Sequence, residues 1–314
     1  MKNKLNILFM GTPDFALGIL QKIYSLDYHL CGIVTAPDKK AGRGKKKKES
    51  AVKKWAVSKE LPVYQPTNLK SDQFYDQLKE LDPDIIVVVA FRMLPKKVWD
   101  FPPYGTINLH ASLLPDYRGA APIHWAIING ESKTGVTTFF INEEIDTGKI
   151  IHSKEVEIDE NDNVASLHDK LMNVGAEVVV DTLDQIKNDN YITTDQRLSD
   201  TDKKAPKLDR NTSKINWDQN QQTLYNFIRG LSPFPCAWCY LNNDQSTCKI
   251  YKVTKTNIPS NNQPGTIIVK EFNIYVSTRD FDLHLEEVQL QNRKRMTAQE
   301  VINGKLIKQN DFLH

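Results

Sequence analysis

"DIIVVVA" (residues 84–90) is the stretch whose reading decides the fold. An unbroken β-branched run has no polar alternation, so it suits a strand covered on both faces rather than one that faces water. Similar apolar runs lie on either side. "LNILFMG" (5–11) and "LCGIVT" (30–35) precede it, and "GTINLHAS" (105–112) and "GVTTFFIN" (135–142) follow. Between them stand stretches with helical spacing, "DFALGILQKIYSL" (14–26), "SDQFYDQLKEL" (71–81) and "PIHWAIING" (122–130). Buried strands that alternate with helices predict an α/β fold with a doubly wound, mostly parallel, Rossmann-like sheet.

Farther along, residues 161–188 read as one long amphipathic helix, with Leu167, Leu171, Val174, Val178 and Leu183 roughly on one side. Periodicity then dissolves into polar residues over 189–213, as in an inter-domain linker. Beyond it, "DQNQQTLYNFIRGL" (218–231) has helical spacing, and short β-rich runs follow at 237–241, 248–255, 265–270, 274–278 and 282–290. Evenly spaced short strands predict a small barrel or sandwich, and the basic, β-rich composition of the segment fits a C-terminal β-barrel of OB-like type. The division expected is 1–188, a linker 189–213 and a second domain 214–314.

Bulk properties fit two soluble globular domains. The chain has 314 residues, 40% hydrophobic and 25% charged, which excludes disordered and fibrous classes. Net charge is only +2, but residues 1–202 carry 25 basic against 29 acidic residues and residues 203–314 carry 16 against 10. Within the acidic portion, "KKAGRGKKKKES" (39–50) is a basic block. That asymmetry points to a polyanionic partner as readily as to a solvated charged face. Four cysteines in a chain this long suit a reducing compartment. Cys236 and Cys239 form a C-x-x-C without a second ligand pair, so buried thiols are expected and no metal. Pro13 and Asp14 cut short the first apolar run, and no stretch is long enough to span a bilayer. A cytoplasmic protein without a membrane partner is the expectation.

The first strand–helix turn, "MGTPDFA" (10–16), lacks G-x-G-x-x-G, which disfavours a dinucleotide site. Chemistry lies instead in "INLHASLLPDYRGAAP" (107–122). Asn108 and His110 are two apart in a strand, so both side chains leave one face near the C-terminal end, where open α/β sheets place ligands. The next strand segment runs into "NEEIDTGK" (142–149), with Asp146 before a Thr-Gly turn. Amide, imidazole and carboxylate brought together would serve acyl transfer to an amine. The amide stabilises a developing oxyanion, and the other two move a proton. Which of His110 and Asp146 takes that proton stays open. No activated Ser or Cys accompanies them, which favours direct attack over a covalent enzyme intermediate.

Taken together, "INLHASLLPDYRGAAPIHWAIINGE" (107–131) and "GVTTFFINEEIDTGKII" (135–151) resemble the folate-dependent formyltransferases over nearly the whole chain. The resemblance implies a formyltransferase fold, catalytic roles for Asn108, His110 and Asp146, and a folate-lining segment of Ser112, Leu113, Leu114 and Pro115. It also implies 10-formyltetrahydrofolate as co-substrate. "MGTPDFA", the basic block, "APK" (205–207) and "IRGLSPFPCAW" (228–238) are similar to the branch of the family that formylates methionine on initiator tRNA. For that branch, Arg43 with Lys45, Lys46, Lys47 and Lys48 would form a loop that meets the acceptor end. Lys207 would lie along the tRNA path, the C-terminal domain would bind tRNA, and the enzyme would act as a monomer in translation initiation.

Three segments depart from the family pattern. "AFRMLP" (90–95) is one residue shorter than usual, which bears on backbone contacts from Phe91 to Leu94. "NEEIDTG" replaces a Gly-Leu-Asp-Thr-Gly pattern, and Cys236 stands where Gly is common. Two competing readings remain: a formyltransferase for a small amine, and a non-catalytic RNA-binding protein. The basic loop and C-terminal third argue against the first, and the intact trio against the second.

Overall fold

The computed structural model describes residues 4–26, 28–41, 46–197, 199, 202–242 and 246–314. It divides into two compact units. The first comprises residues 1–119, 134–157 and 168–204, and the second 120–133, 158–167 and 205–314. Each unit is therefore discontinuous, and the stretch expected as one domain, 1–188, contributes residues 120–133 and 158–167 to the second unit.

The first unit is built on a seven-stranded sheet. Its strands run in the order Ile150–Glu157, Lys133–Phe140, Thr106–His110, Ile85–Val89, Asn6–Gly11, His29–Val34, Val63–Tyr64. The pairings from Thr106–His110 through to Val63–Tyr64 are parallel, whereas Lys133–Phe140 joins Thr106–His110 antiparallel. Ile85–Val89 sits at the centre with every residue buried, as its β-branched run requires. Each such side chain contributes roughly 1.5–3 kcal/mol by leaving water.

Helices cover both faces. On one face, Leu8, Met10, Ile86 and Val88 pack with Phe74 and Leu78 of the helix Asp72–Leu81 and with Val98. On the other, close approach is bought with glycine. A Cβ on Gly18 of the helix Asp14–Tyr24 would lie 2.4 Å from Met172 Sδ. One on Gly175 would lie 2.8 Å from Leu109 Cδ2, so the long helix Val164–Lys187 seats directly on the strand Thr106–His110. Side-chain caps fix the helix starts where the sequence offers them. Ser50 Oγ accepts from Lys53 N, and Ser71 Oγ from Phe74 N.

The second unit is an antiparallel sheet in the order Ala237–Leu241, Ser246–Pro259, Phe281–Leu290, Asn273–Val276, Ile267–Lys270, with Met296–Thr297 added to Phe281–Leu290. The 14-residue strand Ser246–Pro259 carries three register shifts, which bend it sharply enough to serve two neighbours. The last residues join the two edge strands, because Leu313 bridges Leu241 and Phe312 bridges Thr266. Trp217, Leu224, Ile228, Ile250, Val276 and Leu285 are among the residues of its core. The helix Gln221–Arg229, capped by Asn220, lies against the helix Pro122–Ile128, where Gly230 and Ile128 leave no room for a further methyl.

The three cysteines of this unit are buried and unbridged, and Cys239 pairs in register with Cys248. Burial pushes the Cys236 thiol up to about 11. Cys236 also sits at φ 76, a left-handed conformation in which glycine is at ease, which explains physically why a glycine suits that position. Among the described residues no group of His, Cys, Asp and Glu is placed to hold a metal ion, and no helix is long and apolar enough to cross a membrane.

Candidate active site

The strand Thr106–His110 presents its two faces to different tasks. Ile107 and Leu109 go to the core under the long helix, which leaves Thr106, Asn108 and His110 on the opposite face. Thr106 Oγ1 is consumed by Trp99 O at 2.7 Å. Asn108 is half-buried, and among the described residues its amide has no hydrogen-bond partner. An amide held on a rigid strand with its donors unspent suits a group that acquires charge only during reaction.

His110 is buried, and its Nε2 lies 2.8 Å from the carbonyl oxygen of Tyr117. A carbonyl only accepts, so Nε2 carries a proton, and the lone pair of the uncharged tautomer is at Nδ1. Nδ1 faces Asp146 Oδ2 at 3.8 Å. The same carboxylate oxygen accepts from Gly119 N at 3.1 Å. Asp146 itself occupies the left-handed region at φ 56, as does Tyr117 at φ 59. Two residues in strained conformations on either side of the imidazole mark this as a site where surrounding structure over-determines the backbone.

The turn beyond His110 is stitched to the next strand. Thr137, opposite His110 in register, donates through Oγ1 to Ser112 O at 2.7 Å and accepts from Leu114 N at 3.3 Å. Ser112, Leu113, Leu114 and Pro115 thus continue directly from the site, and the Ser112 hydroxyl is spent on Asp116 O at 2.6 Å. Gly148 closes the Asp146 turn by backbone contact alone. A Cβ there would lie 1.7 Å from Phe140 O.

His110 and Asp146 thus lie close together, with Asn108 on the same strand face as His110, and their backbone partners were not legible in the sequence. The carbonyl of Tyr117 and the N–H of Gly119 carry no signature in residue type. Arg43 and Lys45 lie outside the described residues. Lys46, Lys47 and Lys48 belong to the strand Lys46–Lys48, paired with Lys39–Ala41 so that Lys39 faces Lys48 and Lys40 faces Lys47 in register. The base of this strand pair is anchored by Lys53, which bonds Asp38 at 2.6 Å and Glu49 at 2.9 Å.

In the second unit Lys207 is exposed. Its neighbours Arg210 and Lys214 carry no motif that marks them in the sequence. Arg210 stands over the Trp238 ring at 4.6 Å and Lys214 over Tyr240 at 4.9 Å. Lys249 faces Trp238 in register from the next strand. None of these three cations has an ion-pair partner among the described residues.

Comparison with known proteins bears on both units. Residues 3–183 match the formyl transferase family, and residues 207–306 match the formyl transferase C-terminal domain family. A methionyl-tRNA formyltransferase of Flavobacterium johnsoniae is 49% identical over 303 residues, 96% of each chain. One of Flavobacterium psychrophilum is 50% identical over 303 residues, again 96% of each. Among solved structures, HypX from Aquifex aeolicus in complex with tetrahydrofolic acid superposes with a TM-score of 0.64 at 17% identity, covering 99% of this chain and 51% of that one. An N-formyltransferase from Helicobacter canadensis has a TM-score of 0.65 at 20% identity, covering 90% and 98%. The two family matches define a formyltransferase. The chain belongs to the methionyl-tRNA formyltransferase family.

Proposed function

We propose that the protein transfers a formyl group from 10-formyltetrahydrofolate to the α-amino group of methionine carried by initiator tRNA, in the cytoplasm, for initiation of translation. Near-complete coverage of the curated relatives at about half identity supports the reaction. The observation that carries the mechanism is the imidazole of His110, with Nε2 held by Tyr117 O and Nδ1 aimed at Asp146. In this reading residues 1–188 perform the transfer, 189–213 connect, and 214–314 hold tRNA.

The residues present suit the co-substrate. It supplies an electrophilic formyl carbon, and the unpartnered Asn108 amide is the donor that a formyl oxygen needs as negative charge grows on it. Leu113, Leu114 and Pro115, which follow the strand that carries that donor, are apolar residues suited to a folate ring. Attack requires a neutral amine, and α-amino groups titrate near ~7.7–8.0, so removal of a proton as the bond forms assists the step. His110 Nδ1 accepts that proton, and Asp146 then faces an imidazolium instead of a neutral ring. The carboxylate stabilises the charge and, through Gly119 N, keeps its own position. The folate nitrogen leaves with a proton returned by the same imidazole.

The lysine-rich strands Lys39–Ala41 and Lys46–Lys48 and the cations around Trp238 support a polyanionic acceptor over a small amine. Arg43, between those two strands in sequence, is assigned to the acceptor end, with Lys45 to Lys48 on phosphates and Lys207 on the tRNA path. Incubation with 10-formyltetrahydrofolate and methionine-charged initiator tRNA, with charged elongator tRNA beside it, tests the reading. Formylation of neither tRNA would overturn it. Arg43→Ala should impair use of initiator tRNA while any hydrolysis of 10-formyltetrahydrofolate continues, and equal loss of both would remove the loop's assigned role.

A further inference from the structure

The polar stretch after the long helix does more than connect. Thr194 exchanges backbone hydrogen bonds with Ile150 at 2.8 and 2.9 Å, which lays this segment along the edge strand that follows the Asp146 turn. Two residues on, the side-chain amide of Gln196 donates from Nε2 to the carbonyl of Asp146 at 2.9 Å and to that of Gly148 at 2.8 Å. One NH2 group thus spans the Asp146-Thr147-Gly148 turn. Oε1 of the same side chain is buried with no partner among the described residues. A surface glutamine in a plain linker has no reason to sink its amide and leave an acceptor unmatched.

The turn needs an external brace. Asp146 sits in the left-handed region, and Gly148 admits no Cβ against Phe140 O, so neither residue relaxes independently. The Asp146 carboxylate stands 3.8 Å from His110 Nδ1, and a small rotation of the turn changes that separation directly. We propose that Gln196 is a positioning residue for formyl transfer: by bonding both carbonyls of the turn, it holds the Asp146 carboxylate against His110. The proposal rests on the reading of Asp146 as part of the catalytic trio. Nearby, Asp202 bonds Arg118 at 2.7 Å and Lys203 N bonds Asp116 Oδ1 at 3.0 Å, so the same segment also ties down the turn that carries Tyr117 and Gly119.

The test uses the full-length enzyme with Gln196→Met, Gln196→Glu and, in parallel, Asp146→Asn. Formyl transfer to charged initiator tRNA is followed between roughly pH 6 and 8, together with thermal melting. Gln196→Met keeps length without donors and should lower kcat by about 10- to 100-fold, because displacement near 1 Å costs that much. KM for tRNA should stay within about twofold. In Gln196→Glu the carboxylate opposes two carbonyl oxygens, and protonation restores one of the two donated bonds. Its kcat relative to wild type should therefore rise as pH falls, a change that a purely structural loss does not produce. Normal kcat in both glutamine variants beside an inactive Asp146→Asn overturns this proposal alone. So does a pH-independent ratio with the loss appearing only as a lower melting temperature. A fully active Asp146→Asn overturns the trio and, with it, the role given to Gln196.

Discussion

The carbonyl of Tyr117 accepts from His110 Nε2 at 2.8 Å, and by doing so it decides which nitrogen of the ring faces Asp146. A residue in a left-handed conformation thereby fixes a tautomer. With the proton committed to Nε2, the ring is a base only at Nδ1, and the carboxylate beside it has work to do only once that base is protonated.

Removing either member should expose this division. His110→Ala and Asp146→Asn are each expected to lower single-turnover formyl transfer by at least ~10²-fold, the usual range for a lost proton-transfer group. tRNA binding should stay near wild type. Near-normal single-turnover rates in both variants would remove the mechanism.

Asn108 makes a separate contribution. Its amide has no other partner to lose among the described residues, so Asn108→Ala should fold normally and reduce kcat by roughly 10²–10³, as loss of one oxyanion donor does. Melting curves check the folding, and steady-state kinetics with saturating tRNA check the rate. A variant with unchanged kcat and a raised KM would instead make Asn108 a ground-state binding group.

Gly148→Ala addresses the turn. The new methyl would fall 1.7 Å from Phe140 O, a contact that no rotamer relieves, so the backbone must move. We expect a loss of about 2 kcal/mol or more. In calorimetry this should lower the melting temperature by roughly 4–8 °C. Activity should fall with it, because Asp146 is two residues away. An unaltered melting temperature would show that the turn is softer than its geometry implies.

The cations of the second unit make a fourth test. Arg210, Lys214 and Lys249 surround Trp238 without carboxylate partners among the described residues, which leaves their charge free for phosphates. Changing all three to Gln should reduce the slope of log affinity against log salt for initiator tRNA by about 2–3. The comparison is filter binding between roughly 50 and 200 mM salt. An identical slope would place the tRNA elsewhere.

Several of these features were legible before any coordinates. The β-branched run at 85–89 dictated a central strand, and the two-residue spacing of Asn108 and His110 put both on one face. Amphipathic spacing located the long helix to within three residues at its start. Other features could not be read, for reasons that are physical. Tyr117 and Gly119 act through backbone atoms that every residue shares. Gln196 lies 50 residues from the turn it braces, in a stretch whose lack of periodicity suggested only a connection. The helix Pro122–Ile128 has ordinary amphipathic spacing, and nothing in that spacing says which unit it will join. Arg210 and Lys214 gain meaning only from aromatic rings on a strand more than twenty residues later.

The bridges made by Leu313 and Phe312 have a consequence for folding. The two edge strands they join, near Leu241 and Thr266, stay unpaired on that side until Phe312 and Leu313 dock. Before they dock, the folding chain presents two open β-edges to chaperones and to neighbouring chains, an exposure that their arrival ends.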